Sequence, residues 1–152
     1  MFNLIHFIHV IAGSTFVGSV VFFEWVIGTA MVNMTPAFRK ELSLELWKIS
    51  DVVIIGSFLI TIITGISRLF MSGIVQNFEA LFSGYGLRAS LALLILIGFL
   101  VISGPMYKKL RVAIDDENNE MFHQYLHRTR LFSLISIIAI LFLMVSMRMG
   151  IF

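Results

Sequence analysis

The stretch Ala89-Ser90-Leu91-Ala92-Leu93-Leu94-Ile95-Leu96-Ile97-Gly98-Phe99-Leu100-Val101-Ile102-Ser103-Gly104-Pro105-Met106-Tyr107 runs for 19 residues without a charge. The hydrocarbon core of a bilayer takes about 20 predominantly apolar residues of helix to cross, with a range near 17–25. Polar and apolar residues do not alternate along it, which argues against a transmembrane strand. Three more charge-free runs flank it, 1–23, 52–67 and 131–147, of 23, 16 and 17 residues. Each reaches membrane length once a turn of interfacial residues is added. The runs predict an all-α integral membrane protein with helices over about 2–33, 40–72, 84–112 and 117–149. Short connections make neighbours antiparallel, so residues 1–152 read as one up-down four-helix bundle.

Composition supports the same class. The chain is 59% hydrophobic and 13% charged, against roughly 25% charged in soluble domains. The absence of cysteine excludes disulfides and thiolate metal sites, leaving histidine, methionine and carboxylates as ligands. A formal charge of +2 is too small for a nucleic-acid partner, and the basic residues flank apolar runs as topology requires. No basic segment precedes the first run and no cleavage site stands out between Glu24 and Met34, so this run is expected to stay as a helix.

Lysine and arginine counts set the expected orientation. Arg39, Lys40, Lys48, Lys108, Lys109, Arg111, Arg128 and Arg130 collect on one side, and only Arg68, Arg88 and Arg148 on the other. The first side is therefore assigned to the cytoplasm, with both termini on the outer, periplasmic side of a bacterial inner membrane.

On that outer side, within the first run, stand His6 and His9. An imidazole in hydrocarbon is costly without a partner. Three residues apart, the two project from similar faces of the helix, so they cannot be trans ligands of one haem. His9 is deeper by about 4.5 Å at the helical rise and is the better axial ligand. His6 then meets a propionate or lines the cavity, and Gly13 leaves room for a macrocycle. Met71, Met147 and Met149 lie at the same level, and thioethers suit either haem or copper(I). Arg68, Arg88 and Arg148 come from three different helices, and guanidinium groups suit two-point recognition of carboxylates. Glu79 is the only acid nearby, and the cationic excess favours a cofactor bearing its own carboxylates over bare copper. The alternative for each arginine is snorkelling to the interface.

The other polar residues read mainly as structural. Glu24 and Asp51 lie toward the inner ends of their helices, where pairing with Lys48, Arg128 or Arg130 is preferred to a proton relay. His123 and His127, four apart, lie on one face, and together with Arg128 and Arg130 they read as a solvated, headgroup-level turn. Asp115, Asp116 and Glu117 are expected to open the fourth helix, where negative charge complements its dipole. Ser14 and Gly18 form a small-x-x-x-small pair, and Gly56 and Gly98 also suit close helix packing. Gly104-Pro105 is expected to kink or loosen the third helix.

The order of landmarks resembles the CopD/HemJ superfamily of small bacterial membrane proteins. The resemblance rests on His9-Val10-Ile11-Ala12, Gly18 and Phe22-Phe23-Glu24-Trp25 in the first helix, and Thr64-Gly65 in the second. Leu87-Arg88-Ala89-Ser90-Leu91 opens the third helix, and Arg148 ends the fourth. It implies four helices with His9 at the position of a haem ligand. The activities implied are protoporphyrinogen oxidation in HemJ-type proteins and copper uptake in CopD-type ones. HemJ-type sequences usually carry Leu-His-x-Lys where this chain has Leu87-Arg88-Ala89-Ser90. With Arg88 and Ser90 replacing that histidine and lysine, a divergent relative with a retained or altered cofactor pocket is expected instead of the oxidase.

The leading expectation is a b-type haem protein moving electrons near the outer leaflet, with a membrane quinol or redox enzyme as partner. Copper handling through His6, His9 and outer methionines is the second reading. A cofactor-free accessory subunit, packed in a homo-oligomer or larger complex, is the third.

Overall fold

The computed structural model describes residues 2–73, 75, 77–82 and 84–149, with side chains described as far as Met147. Four long helices carry the chain: α1 (Phe2–Val32), α2 (Pro36–Met71), α3 (Gly84–Asp115) and α4 (Asn119–Met149). A short 3-10 turn, Glu79–Phe82, precedes α3, and no strand occurs among the described residues. All four helices are long and apolar enough to cross a membrane. Their most apolar windows are at most 22% buried inside the chain, and side chains such as Leu94, Val101 and Phe142 face outward. An exterior this apolar is the kind a bilayer solvates and water does not.

Helix ends differ from the expected ones for local reasons. α2 starts at Pro36, not near residue 40, because Thr35 is extended (φ −63°, ψ 148°) and proline occupies the first turn, where its missing N–H costs nothing. The acidic run does not open the fourth helix. Asp115 is the last residue of α3, and Glu117 takes a left-handed conformation with φ 54°. The Asn118 N–H donates to the Ala113 carbonyl at 2.9 Å and the Glu117 N–H to Ile114 at 3.1 Å, a Schellman ending. Asn118 then caps α4, its Oδ1 accepting from the Met121 N–H at 3.0 Å. α3 also continues through Pro105 to Asp115 without a helical break.

The 3-10 turn packs onto the start of α3. A Cβ at Gly86 would lie 1.9 Å from the Ala80 carbonyl oxygen, so this approach requires glycine.

The closest packing is within two antiparallel pairs, α1 with α2 and α3 with α4. The pairs meet midway in a layer of Phe16, Val20, Phe58, Phe99 and Ile137. Phe16 sets its ring edge-to-face on Phe58 at 5.4 Å and on Phe99 at 5.8 Å, and Phe132 stacks on Phe99 at 5.8 Å. A second core, including Met31, Leu110, Ala113, Ile114, Phe122 and Leu126, fills the end where the short loops lie. That loop end is tied by Arg39, 2% exposed. Its guanidinium donates to the carbonyls of Met31 (3.0 Å) and Met34 (3.2 Å) and to Asn119 Oδ1 (2.9 Å), and lies 3.9 Å over the Phe122 ring. Lys40 reaches the Asp115 carbonyl at the end of α3, 2.7 Å away.

Candidate functional site

Two polar constellations stand on either side of the aromatic layer. The first centres on His9, at the end of the bundle that carries the chain termini. Its ring is half-buried, and Nδ1 lies 3.0 Å from the Thr61 carbonyl oxygen and 3.1 Å from Thr64 Oγ1. A carbonyl only accepts, so Nδ1 carries the proton and donates. Nε2 keeps its lone pair, the state a metal-binding histidine needs. Thr64 is itself fixed, its hydroxyl donating to the Ile60 carbonyl at 2.6 Å. Gly65 completes the seat: a Cβ there would lie 3.1 Å from His9 Cε1 and 3.5 Å from Nδ1. Glycine is therefore what lets the imidazole lie against α2.

Gly13 faces α2, where a Cβ would make ordinary contact with Thr61 Cγ2 at 3.8 Å. The glycine beside the histidine ring is Gly65.

One turn beyond Thr64, Arg68 is half-buried with its guanidinium 6.0 Å from the centre of the Phe2 ring. Its Nε is buried without a hydrogen-bond acceptor. Arg88 belongs to the other helix pair, where Nη1 donates to the Ser146 carbonyl of α4 at 3.0 Å. Ser90 donates to the Leu81 carbonyl at 3.3 Å, binding the 3-10 turn. His6 and Met71 are exposed and Met147 is half-buried; the Arg148 side chain lies outside the described residues. His9 and Arg68 thus share one helix pair, while Arg88 stands on the second.

The other constellation surrounds Glu24, 3% exposed. It sits in a π-helical turn of α1, Phe22–Ile27, of the kind that often marks functional sites. Oε1 accepts from the Tyr107 hydroxyl of α3 and from Ser133 of α4, the latter at 2.7 Å. Arg130 donates through Nε to the Glu24 main-chain carbonyl at 2.7 Å and through Nη2 to Thr29 at 2.8 Å, with its guanidinium 5.4 Å from the Trp25 ring centre. The expected partner thus holds the backbone of Glu24, and two hydroxyls hold its carboxyl. Asp51 pairs with Arg111 of α3, a partner outside the expected set. Lys48 pairs with Glu45, and His123 and His127 are exposed.

Thr61, Thr64, Tyr107 and Ser133 were not identifiable as site residues, since each is a small or amphipathic side chain inside an apolar run. A Tyr–Glu contact between α1 and α3 has no signature of spacing. Arg39 entered only as a topology charge, though it joins three chain segments.

Among the described residues, no group of three or more histidine, cysteine, aspartate or glutamate side chains converges as a metal site. Comparisons with protein-family models, with curated proteins and with solved structures find no match.

Proposed function

We propose that this chain is a multi-pass membrane protein that binds haem b at its outer end and serves electron transfer there, with His9 as the residue that would hold the iron. The observation that carries the reading is the His9 tautomer. With the ring N–H committed to Thr61, Nε2 remains as a donor to iron, and the threonine carbonyl raises its basicity. The residues fit the cofactor in a second respect. Arg68 Nε is a buried donor lacking an acceptor, and a haem propionate is the acceptor that guanidinium groups suit. Bound haem would supply one-electron chemistry, while the chain supplies position and electrostatics.

In this reading His9 binds and Thr61 and Thr64 orient it. Arg68 compensates negative charge at the same end, and Phe16 and Phe58 keep the inner side of the site apolar. Thr64-Gly65, two of the residues on which the likeness to the CopD/HemJ superfamily rests, are the pair that seats His9, which supports a distant relationship. Arg88 and Ser90 have backbone acceptors, and protoporphyrinogen oxidation is not assigned. The excess of lysine and arginine at the loop end supports a cytoplasmic position for that end, in a bacterial inner membrane.

The test is a pair of visible spectra, oxidised and dithionite-reduced, on protein purified in mild detergent, with metal analysis of the same sample. A sharp reduced α-band with stoichiometric iron, lost in His9→Ala, is expected. Colourless protein with bound copper would replace this reading with copper handling. Protein with neither would leave an accessory subunit, and haem retained in His9→Ala would remove His9 as ligand.

A further inference from the structure

Of the nine acidic residues, Glu24 alone is buried. Its carboxyl is also asymmetrically served. Oε1 accepts two hydroxyl donors, whereas Oε2 is buried with no partner. Glu24 forms part of the wall of a partly open cavity of about 40 Å³, otherwise lined chiefly by Phe23, Met31, Trp47, Tyr107, Leu110 and Leu126.

What completes Oε2 follows from the cavity. A buried water needs two to four polar partners, and these largely apolar walls offer only the Glu24 carboxyl and a Tyr107 hydroxyl that already donates to Oε1. Divalent cations need several oxygens, about six for magnesium or calcium, and one is free. An engineered cavity that takes benzene is about 150 Å³, well above this volume, so a drug-sized organic cation is excluded in the closed bundle.

No cation among the described residues forms an ion pair with the carboxylate. Arg130, the nearest cation on α4, uses Nε and Nη2 on the Glu24 carbonyl and Thr29. The ion pairs among the described residues are Lys48–Glu45 and Arg111–Asp51. α3 presents the Tyr107 hydroxyl, and α2 presents Leu46 and Trp47, with Arg111 lying 4.6 Å over the Trp47 ring. An ionised carboxylate would leave half its charge on an oxygen without a donor among largely apolar walls.

We propose that Glu24 is a reversible proton-binding site, holding a proton on Oε2 while Oε1 accepts from Tyr107 and Ser133. The Phe16–Phe58–Phe99 layer separates this site from the His9 end. This assignment is independent of haem binding, and its test reads no haem signal.

The test is infrared difference spectroscopy of the full-length protein in detergent at neutral pH, wild type against Glu24→Gln. The carbonyl-stretch band of a protonated carboxylic acid, shifted in D2O, is expected in the wild type and lost in the variant. Tyr107→Phe and Ser133→Ala should each keep the band and move it to higher wavenumber, since each removes one donor to Oε1. These two variants carry the test should Glu24→Gln fail to fold. Carboxylate-stretch bands alone in the difference spectrum, or an acid band that ignores both hydroxyl deletions, would overturn the proposal.

Discussion

Replacing Arg39 with alanine should cost more than any other single charge deletion at the loop end. The substitution removes three hydrogen bonds from a charged donor, to the carbonyls of Met31 and Met34 and to Asn119 Oδ1. Bonds to charged groups are worth about 1.5–3 kcal/mol where water cannot replace them, and about 1 kcal/mol where it partly can. Met34 and Asn119 lie beside the loops, so about 1 kcal/mol each is appropriate there. Met31 is buried and takes the higher figure, about 1.5 kcal/mol. The Phe122 face adds about 1 kcal/mol of cation–π attraction. The expected loss is therefore about 4–5 kcal/mol. Lysine places one ammonium where a planar fork served three acceptors, so Arg39→Lys should recover about half. Equilibrium unfolding in mixed micelles, followed by helical circular dichroism and by tryptophan fluorescence, reads both variants. A loss below about 1 kcal/mol for alanine, or lysine indistinguishable from arginine, would refute the account of Arg39 as the tie between α1, α2 and α4.

Glu117→Gly should stabilise the chain by about 0.5–1 kcal/mol, because glycine adopts the left-handed C′ conformation without the Cβ penalty; thermal unfolding measures it, and destabilisation would contradict the Schellman ending. Phe99→Ala should cost about 2 kcal/mol in micelles, from the cavity term of ~24 cal/mol per Å³ over roughly 100 Å³ of lost side chain. The usual 3–5 kcal/mol for a water-soluble core would instead indicate that unfolding exposes Phe99 to water, since lipid supplies no hydrophobic drive between helices. On the haem reading, Gly65→Ala should displace the His9 ring by a few tenths of an ångström from its seat on α2 and reduce haem content while helical content stays near wild type. Unchanged haem loading in that variant would detach Gly65 from the cofactor site.

The fold was largely legible because spanning helices need long charge-free runs, and the four runs in this chain map onto α1 to α4. What escaped was set by single backbone conformations. The acidic cluster Asp115–Glu117 suits a helix N-terminus electrostatically, yet Asn118 offers the side-chain acceptor that a cap requires, and the carboxylates fall into the preceding turn. The site was legible in part. His9 announced itself as an imidazole in an apolar run, and Arg68 as a cation at the same depth. Thr61 and Thr64 could not, because Thr61 meets His9 through a main-chain carbonyl and both hydroxyls bond their own helix as any threonine in an apolar segment does. Asp51 was expected to find a partner nearby in sequence or on α4, and found Arg111 because the antiparallel descent of α3 brings that residue to its level.

The aromatic layer between the two polar constellations has an electrical consequence. A membrane that stores energy as an ion gradient tolerates no continuous column of polar groups, since protons hop along such a column and discharge it. His9 and Glu24 are fifteen residues apart on one helix, about 22 Å of rise, and the intervening Phe16, Phe58, Phe99 and Phe132 offer no hydrogen-bonding atom on their side chains. Those rings interrupt the sequence of polar groups between an imidazole toward one end of the bundle and a carboxyl toward the other.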